Sequence, residues 1–269
     1  WDKYYLLPPF DSWKWGMLDW ADSINPLASA VKCAWKVTTV SHSYLDELKE
    51  ESNGLQHLFQ YEVGKSSGIL NGIDNQVWDP LTDTMIAKNY DKELVAKGKK
   101  KNKKELAGQF GLDPEKPLIA FIGRLVGEKA ADLLPEAIAQ SIYQHHGNAN
   151  FLVLGSGDPN LEDKLDQMKH QFGGYYNSYI GYSEPLSHLI YAGSDFLLMP
   201  SRVEPCGLNQ MYALRYGTVP MVRNVGGLRD TVTDMGDWQG VGIRFDQASV
   251  EDITYSVGRA IDLYNNKQE

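Results

Sequence analysis

Cysteine is scarce: Cys33 and Cys206 are the only two in 269 residues. That is too few for a disulfide framework and fits a reducing cytoplasm. No apolar run reaches the ~18 residues needed to span a bilayer, which argues against a membrane-embedded protein. Positive charge is also short, since 26 Lys and Arg against 35 Asp and Glu leave a net charge of −9. Nucleic acid and anionic membrane are therefore not expected partners. The first residues, from Trp1 onward, show neither an initiator Met nor a signal-peptide pattern, so the chain reads as a fragment. What remains is ordinary for a soluble globular protein, 42% hydrophobic and 11% aromatic, with room for one large or two modest domains.

Aromatic residues are unevenly spread. Five of the seven tryptophans (Trp1, Trp13, Trp15, Trp20 and Trp35) fall at the start, in a segment broken by Pro8, Pro9 and Pro26. The β-branched run Lys36–Ser41 reads as a strand, followed by a helix from Ser43 with Ser43 as its N-cap. One strand and one helix cannot bury a sheet face alone. Residues 1–67 are thus expected to belong to a larger domain. Taken by themselves they should expose an apolar patch beyond the ~300–600 Å² typical of monomers, or hide it between chains. The lysine-rich run from Lys97 to Lys104 reads as a solvated helix face.

From Pro117 the pattern changes to short apolar strands alternating with amphipathic helices. Strands are expected at 118–122, 151–154, 179–180, 196–199 and 219–222. Helices are expected around 133–142, 161–168, 184–193, 207–216, 227–234 and 249–265. Continuous apolar strands between helices imply an α/β fold, a doubly wound, Rossmann-like parallel sheet covered on both faces. Ligands of such sheets sit at the carboxyl ends of the strands, so residues just after each strand are the candidates.

Arg124 and Lys129 follow the first of these strands. An Arg fork and a Lys point charge there suit an anionic ligand; equally, both could be surface cations paired with Glu128 or Asp132. Gly155-Ser-Gly-Asp-Pro159 lacks the third glycine of a dinucleotide fingerprint and reads as a strand-to-helix turn. Glu204 falls between the strand ending at Met199 and a helix starting near Gly207, where a carboxylate beside free N–H groups could bind sugar hydroxyls. Cys206 has no apparent His or Asn partner and reads as a packing residue. Gly226 and Gly227 form a strand-to-helix turn whose N–H groups could face an anion. The expectation is that Arg124 and Lys129 converge near Gly226-Gly227. Glu204 should face the cleft, unpaired with Arg202 or Arg223.

The segments Ser201-Arg-Val-Glu-Pro-Cys-Gly-Leu-Asn-Gln-Met211, Arg215-Tyr-Gly217 and Gly226-Gly-Leu-Arg-Asp-Thr-Val232 resemble the signature of bacterial and plant glycogen/starch synthases. Gly68-Ile-Leu-Asn-Gly-Ile-Asp74, Trp78-Asp-Pro80, Gly123-Arg-Leu with Lys129, and Ser41 with Tyr44 fit as well. The resemblance implies a retaining two-domain glycosyltransferase of the GT-B class. Residues 1–67 would be the last part of its N-terminal, acceptor-side domain, and 68–269 its nucleotide-sugar-binding domain. It implies ADP-glucose or UDP-glucose as donor, an α-1,4-glucan as acceptor, and no metal or cofactor. By the same resemblance Arg124 and Lys129 hold the diphosphate, Gly226 and Gly227 lie by the distal phosphate, and Glu204 faces the donor glucose. Cys206, Gly207 and Leu208 supply backbone contacts, Asn71 lines the cleft near the sugar, and Tyr182 stacks on the nucleobase. Two positions depart from the wider class. Tyr212 stands where many members carry a second Glu, and Ala130 where Gly is usual.

Overall fold

The computed structural model describes residues 16, 18–21 and 23–266. Trp1, Trp13 and Trp15 lie outside them. The chain divides into two compact units, Trp1–Leu70 and Asn71–Glu269.

Two strands, β1 (Asp19–Trp20) and β2 (Ser23–Ile24), pair antiparallel in the first unit. Helix α1 (Pro26–Cys33) starts where the Asn25 side chain accepts from the Leu27 and Ala28 N–H groups, with Pro26 in its first turn. Strand β3 (Val37–Thr39) pairs in parallel with β4 (Ser66–Gly68), so the unit holds more than the one strand expected. Ser66-Ser-Gly68 carries no apolar alternation, and only its partner makes it a strand. Between them lie α2 (His42–Glu50) and α3 (Gln56–Tyr61). The cap of α2 is Ser41, not Ser43: the Ser41 hydroxyl accepts from the Tyr44 N–H, while Ser43 is buried within the helix. A small core forms from Ala28, Val31, Leu55, Leu58 and Phe59, with Trp20 packed against it. Trp35 and Tyr61 lie outside this core, 90% and 83% exposed.

The second unit is built on a six-stranded parallel sheet. Its strands are β5 (Leu118–Leu125), β6 (Asn150–Gly157), β7 (Tyr176–Ile180), β8 (Phe196–Met199), β9 (Val219–Arg223) and β10 (Ile243–Phe245), in the spatial order β10-β9-β8-β5-β6-β7. The chain winds outward through β6 and β7, returns beside β5 as β8, then winds the other way. This is the expected doubly wound α/β fold. The order reverses between β5 and β8, and a crevice opens at the carboxyl ends of the strands at such a point. Helices α4 (Val95–Phe110), α5 (Leu134–Gln144), α6 (Pro159–Gln171), α7 (Glu184–Gly193), α8 (Asn209–Arg215), α9 (Gly226–Thr231) and α10 (Val250–Asn266) complete the unit. Separate apolar clusters sit on the two faces of the sheet, one around Leu134, Ile138 and Val257, the other around Leu106, Ile190 and Tyr216. Asp158 and Ser183 cap α6 and α7 through their side chains, each followed by a Pro in the first turn. Among the described residues no helix is long and apolar enough to cross a membrane.

Within the lysine run, Lys97, Lys100, Lys101 and Lys104 are exposed as a solvated face should be, but Lys99 and Lys103 are not. Lys99 donates to the carbonyls of Tyr191, Ala192 and Tyr216 and, at 2.6 Å, to the Thr218 hydroxyl. Lys103 pairs with Asp195 at 2.7 Å. A doubly wound unit collects helix C-termini at the amino edge of its sheet, and Lys99 Nζ donates to the carbonyl ends of α7 and α8 there, its pKa pulled down to about 7 by burial.

Asp234 ties the connection between α9 and β10 to the last helix. Its carboxylate accepts from Arg259 at 2.7 and 3.0 Å, from the Gly236 N–H at 2.8 Å and from the Arg244 N–H at 2.6 Å. Burial alone would raise its pKa, but Arg259 and the two N–H groups outweigh that and hold it down to about 2. The folded pKa lies below the unfolded one, so this stabilisation is complete above about pH 4 and fades as pH falls toward 2. Asp234→Asn should therefore cost about 2 kcal/mol at pH 7. In urea titrations the loss should shrink to less than half by pH 2.5; a pH-independent loss would contradict the assignment.

Candidate functional site

Two cavities meet at the switch point. One, of about 330 Å³, is walled by Trp78, Tyr182, Tyr191 and Tyr212 and closed on the sheet side by Ile122, Gly123, Arg124, Gly155 and Ser156. The other, of about 220 Å³, is lined by Lys129, Ser201, Glu204, Gly207 and Leu208. Both cavities share Ile122, Gly123, Arg124 and Asn209. An aromatic chamber and a charged chamber thus adjoin at the end of β5. The Asn209 side chain donates to the Ile122 carbonyl at 2.8 Å and fixes the seam between them.

Glu204 is a loop residue, as expected, but its surroundings differ from the expected ones. It is 6% exposed, and its Oε2 accepts from Lys129 Nζ at 2.6 Å and from the Ser201 hydroxyl at 2.9 Å. Arg202 and Arg223 are occupied elsewhere. Arg202 makes a bidentate bond to Asp132 at 2.6 and 2.8 Å, which holds the Asp132 carboxyl below its ordinary value. Arg223 donates to the carbonyls of Asp246 and Arg202, both at 2.9 Å. The helix after Glu204 begins at Asn209 rather than Gly207, and Gly207 has a φ of 76°. Lys129, Asp132 and Arg223 therefore pin this loop from outside it, and its carboxylate is preorganised rather than free.

Lys129 sits in a 3₁₀ turn, Gly127–Lys129, immediately before Ala130, which adopts φ 51° and ψ 30°. Glycine reaches that left-handed conformation without penalty, whereas alanine gives up about 1 kcal/mol there. Arg124 extends outward and pairs with Glu128 at 3.0 Å, both side chains 66% exposed. One of the two partners considered for the cations is thus observed for Arg124, whereas Lys129 turns inward to Glu204.

The Gly226-Gly227 turn does not line either cavity and is buried. The Gly227 N–H donates to the Glu204 carbonyl at 3.0 Å, and a Cβ at Gly227 would overlap three backbone atoms of Cys206. Lys129 and Gly227 thus meet the same residue, Glu204, one at its carboxylate and the other at its carbonyl, while Arg124 and Lys129 share the charged cavity and Gly227 supports the Glu204–Cys206 loop. Cys206 is a buried free thiol, matching the packing reading. Leu208 is 37% exposed at the mouth of the charged cavity. Tyr182 is 84% exposed at the rim of the aromatic one. Asn71 is exposed and belongs to neither lining.

Several lining residues escaped the reading of the sequence. Gly155 and Ser156 are the end of β6, not a turn outside the site, and a Cβ at Gly155 would overlap the Gly123 carbonyl. Their place at a strand end was the available signal. Trp78 and Tyr212 were marked only as positions of the family resemblance; they come together from distant segments, and nothing local marks them as neighbours.

The family model for glycosyl transferases group 1 matches residues 102–269, and that for the starch synthase catalytic domain matches residues 3–61. A glycogen synthase of Flavobacterium johnsoniae is 58% identical over 99% of this chain and 56% of its own length. One from Rhodospirillum rubrum is 42% identical over 93% of this chain and 52% of its own. The solved catalytic domain of starch synthase IV from Arabidopsis thaliana, bound to ADP and acarbose, superimposes with a TM-score of 0.83 at 35% identity. That match covers 91% of this chain and 52% of that one. The chain spans about half the length of the relatives it matches. Its sequence from end to end and its GT-B-type α/β architecture together make it a member of the glycogen/starch synthase family of glycosyltransferases.

Proposed function

We propose that the chain is the donor-binding portion of a synthase that transfers glucose, with retention, from ADP-glucose or UDP-glucose to the non-reducing end of an α-1,4-glucan. The observation that carries this reading is the pair of adjoining cavities, aromatic and charged, sharing Gly123 and Arg124 at the switch point. A nucleoside diphosphate sugar has the same division. Its base and ribose suit the aromatic chamber, with Tyr182 against the base. The diphosphate crosses at Arg124, and the glucose reaches Glu204 and the backbone of Cys206, Gly207 and Leu208. Lys129 stands between the phosphate and the sugar. Asn71 is assigned to the sugar side of the cleft, and residues 1–67 to the acceptor-side domain. The starch synthase relative solved with ADP supports a nucleotide in this fold.

In the transfer, the bond from glucose C1 to the diphosphate oxygen breaks and a bond to the acceptor hydroxyl oxygen forms on the same face. The departing oxygen takes the acceptor's proton, so no separate base is required. Preorganised cations at the leaving group stabilise its growing charge. An anionic sugar nucleotide and two free cysteines fit a cytoplasmic setting.

The test is glucose incorporation from labelled ADP-glucose and UDP-glucose into maltooligosaccharide by the intact protein. Arg124→Ala should lower kcat/KM by about 2 kcal/mol, toward the low end for such contacts because the guanidinium is exposed. Nucleotide binding without incorporation would reduce the protein to a binding module, and unchanged turnover in Arg124→Ala would remove the arginine from the site.

A further inference from the structure

Trp78, on the wall of the aromatic cavity, comes from outside the α/β repeat. It lies in the irregular segment at the start of the second unit, ahead of its first helix, and its indole is inserted between two other rings. His188 of α7 covers one face, with centroids 3.9 Å apart and planes at 15°; Tyr212 of α8 covers the other at 3.8 Å and 20°. These are stacked geometries, and both faces of the indole are taken. Tyr191 and Tyr216 meet the indole in T-shaped contacts at 5.6 and 6.4 Å, so only the remainder of its edge is left for a ligand. The indole Nε1–H has no hydrogen-bond partner among the described residues and is not sealed from solvent.

The stack is locked from behind. Asp83 Oδ2 accepts from His188 Nδ1 at 2.7 Å and from the Tyr216 hydroxyl at 2.6 Å. Burial would raise the Asp83 carboxyl, but these two bonds and one from the Met85 N–H hold it below its ordinary value. Arg215 grips the same segment through Asp79 at 3.0 Å and the Trp78 carbonyl at 3.3 Å. An indole serving only to cover apolar surface needs neither an open cavity beside it nor a fixed ring plane. Here a fully anchored ring has one unsatisfied donor and borders a cavity that Tyr212 also lines.

We propose that Trp78 is a ligand-contacting residue of the donor site, meeting the nucleoside with its edge and holding the Tyr212 ring against it. The Nε1–H donates to an oxygen of the nucleoside. This assignment rests on the donor-site reading above, and it makes the segment around Trp78 part of the nucleotide pocket. Asp83 and His188 act as positioning residues through the stack.

The experiment uses the intact protein and two variants. Trp78→Phe keeps a ring in the stack but has no donor, whereas Trp78→Ala loses both. The Kd for ADP and UDP is measured by titration calorimetry, and KM separately for sugar nucleotide and maltooligosaccharide. The nucleotide Kd should rise about threefold to fivefold in Trp78→Phe and about tenfold or more in Trp78→Ala, as for loss of one and then two contacts. The donor KM should rise in parallel while the acceptor KM stays put. A Trp78→Phe protein with wild-type nucleotide affinity, or an equal rise of both KM values with a lowered Tm, would overturn the assignment and leave Trp78 a packing residue. Absence of glucose transfer by the unmutated protein would instead refute the function proposed above, whatever the titrations of the variants show.

Discussion

Replacing Lys129 by methionine in the intact protein is expected to lower turnover roughly 10³-fold, the upper range for one preorganised charged group. The reason lies in its pairing. The Lys129 and Glu204 side chains are 23% and 8% exposed and 2.6 Å apart, so each compensates the other where water cannot. Without the ammonium, the Glu204 carboxylate keeps only the Ser201 hydroxyl and faces an incoming diphosphate as an uncompensated negative charge. Glu204→Gln should also be severely impaired, because the amide neither holds the ammonium in place nor offers a carboxylate to the sugar. The two changes should not be additive: Lys129→Met/Glu204→Gln is expected to be little worse than the poorer single variant. Steady-state kinetics on the four proteins, with thermal melts to separate misfolding from lost chemistry, gives the coupling directly. Losses that multiply independently would mean the two residues act apart. A Glu204→Gln enzyme with wild-type activity would remove it from the sugar contact.

Gly227→Ala should destabilise the second unit by more than about 3 kcal/mol and abolish transfer, although residue 227 touches neither cavity. The added methyl would collide with the Cα, carbonyl carbon and carbonyl oxygen of Cys206. These are backbone atoms and cannot rotate aside. Relief requires shifting either the start of α9 or the loop that carries Glu204, and the Gly227 N–H bond to the Glu204 carbonyl stretches in both cases. At about 2–4 °C per kcal/mol for a unit of this size, Tm should fall by roughly 6–12 °C. Gly108→Ala is the matched control. It lies within α4 with open space around it and should be neutral or stabilising by up to about 1 kcal/mol. If both alanine variants melt like the parent, the close approach between Gly227 and Cys206 is not part of the folded protein.

What the sequence determined by itself is the sheet and its strand ends. Runs such as Leu118–Ile122 and Phe196–Met199 are apolar at every position and too short for a helix, as a strand buried on both faces requires. Helices such as those around 184–193 and 249–265 were legible from the spacing of their apolar residues. Because a doubly wound sheet binds at its carboxyl edge, Arg124, Lys129 and Glu204 could be singled out before any coordinates. Where patterning was silent, expectations shifted by a few residues: Ser41 displaced Ser43 as a cap, and a serine-rich segment became β4 through its partner alone.

Only the tertiary structure decided who meets whom. Lys129 and Glu204 are 75 positions apart, and Trp78 lies more than 100 positions from both His188 and Tyr212. Their meetings depend on strand order and on where helix ends gather, which no local period encodes. The half-buried Lys99 and the buried Lys103 make the same point. A lysine run is solvated by default, and these two are drawn in only because the fold collects helix C-terminal carbonyls and Asp195 at one edge of the sheet. Folding also sets Gly227 against the Cys206 backbone, a close approach that its lack of a side chain permits and that the sequence alone does not show.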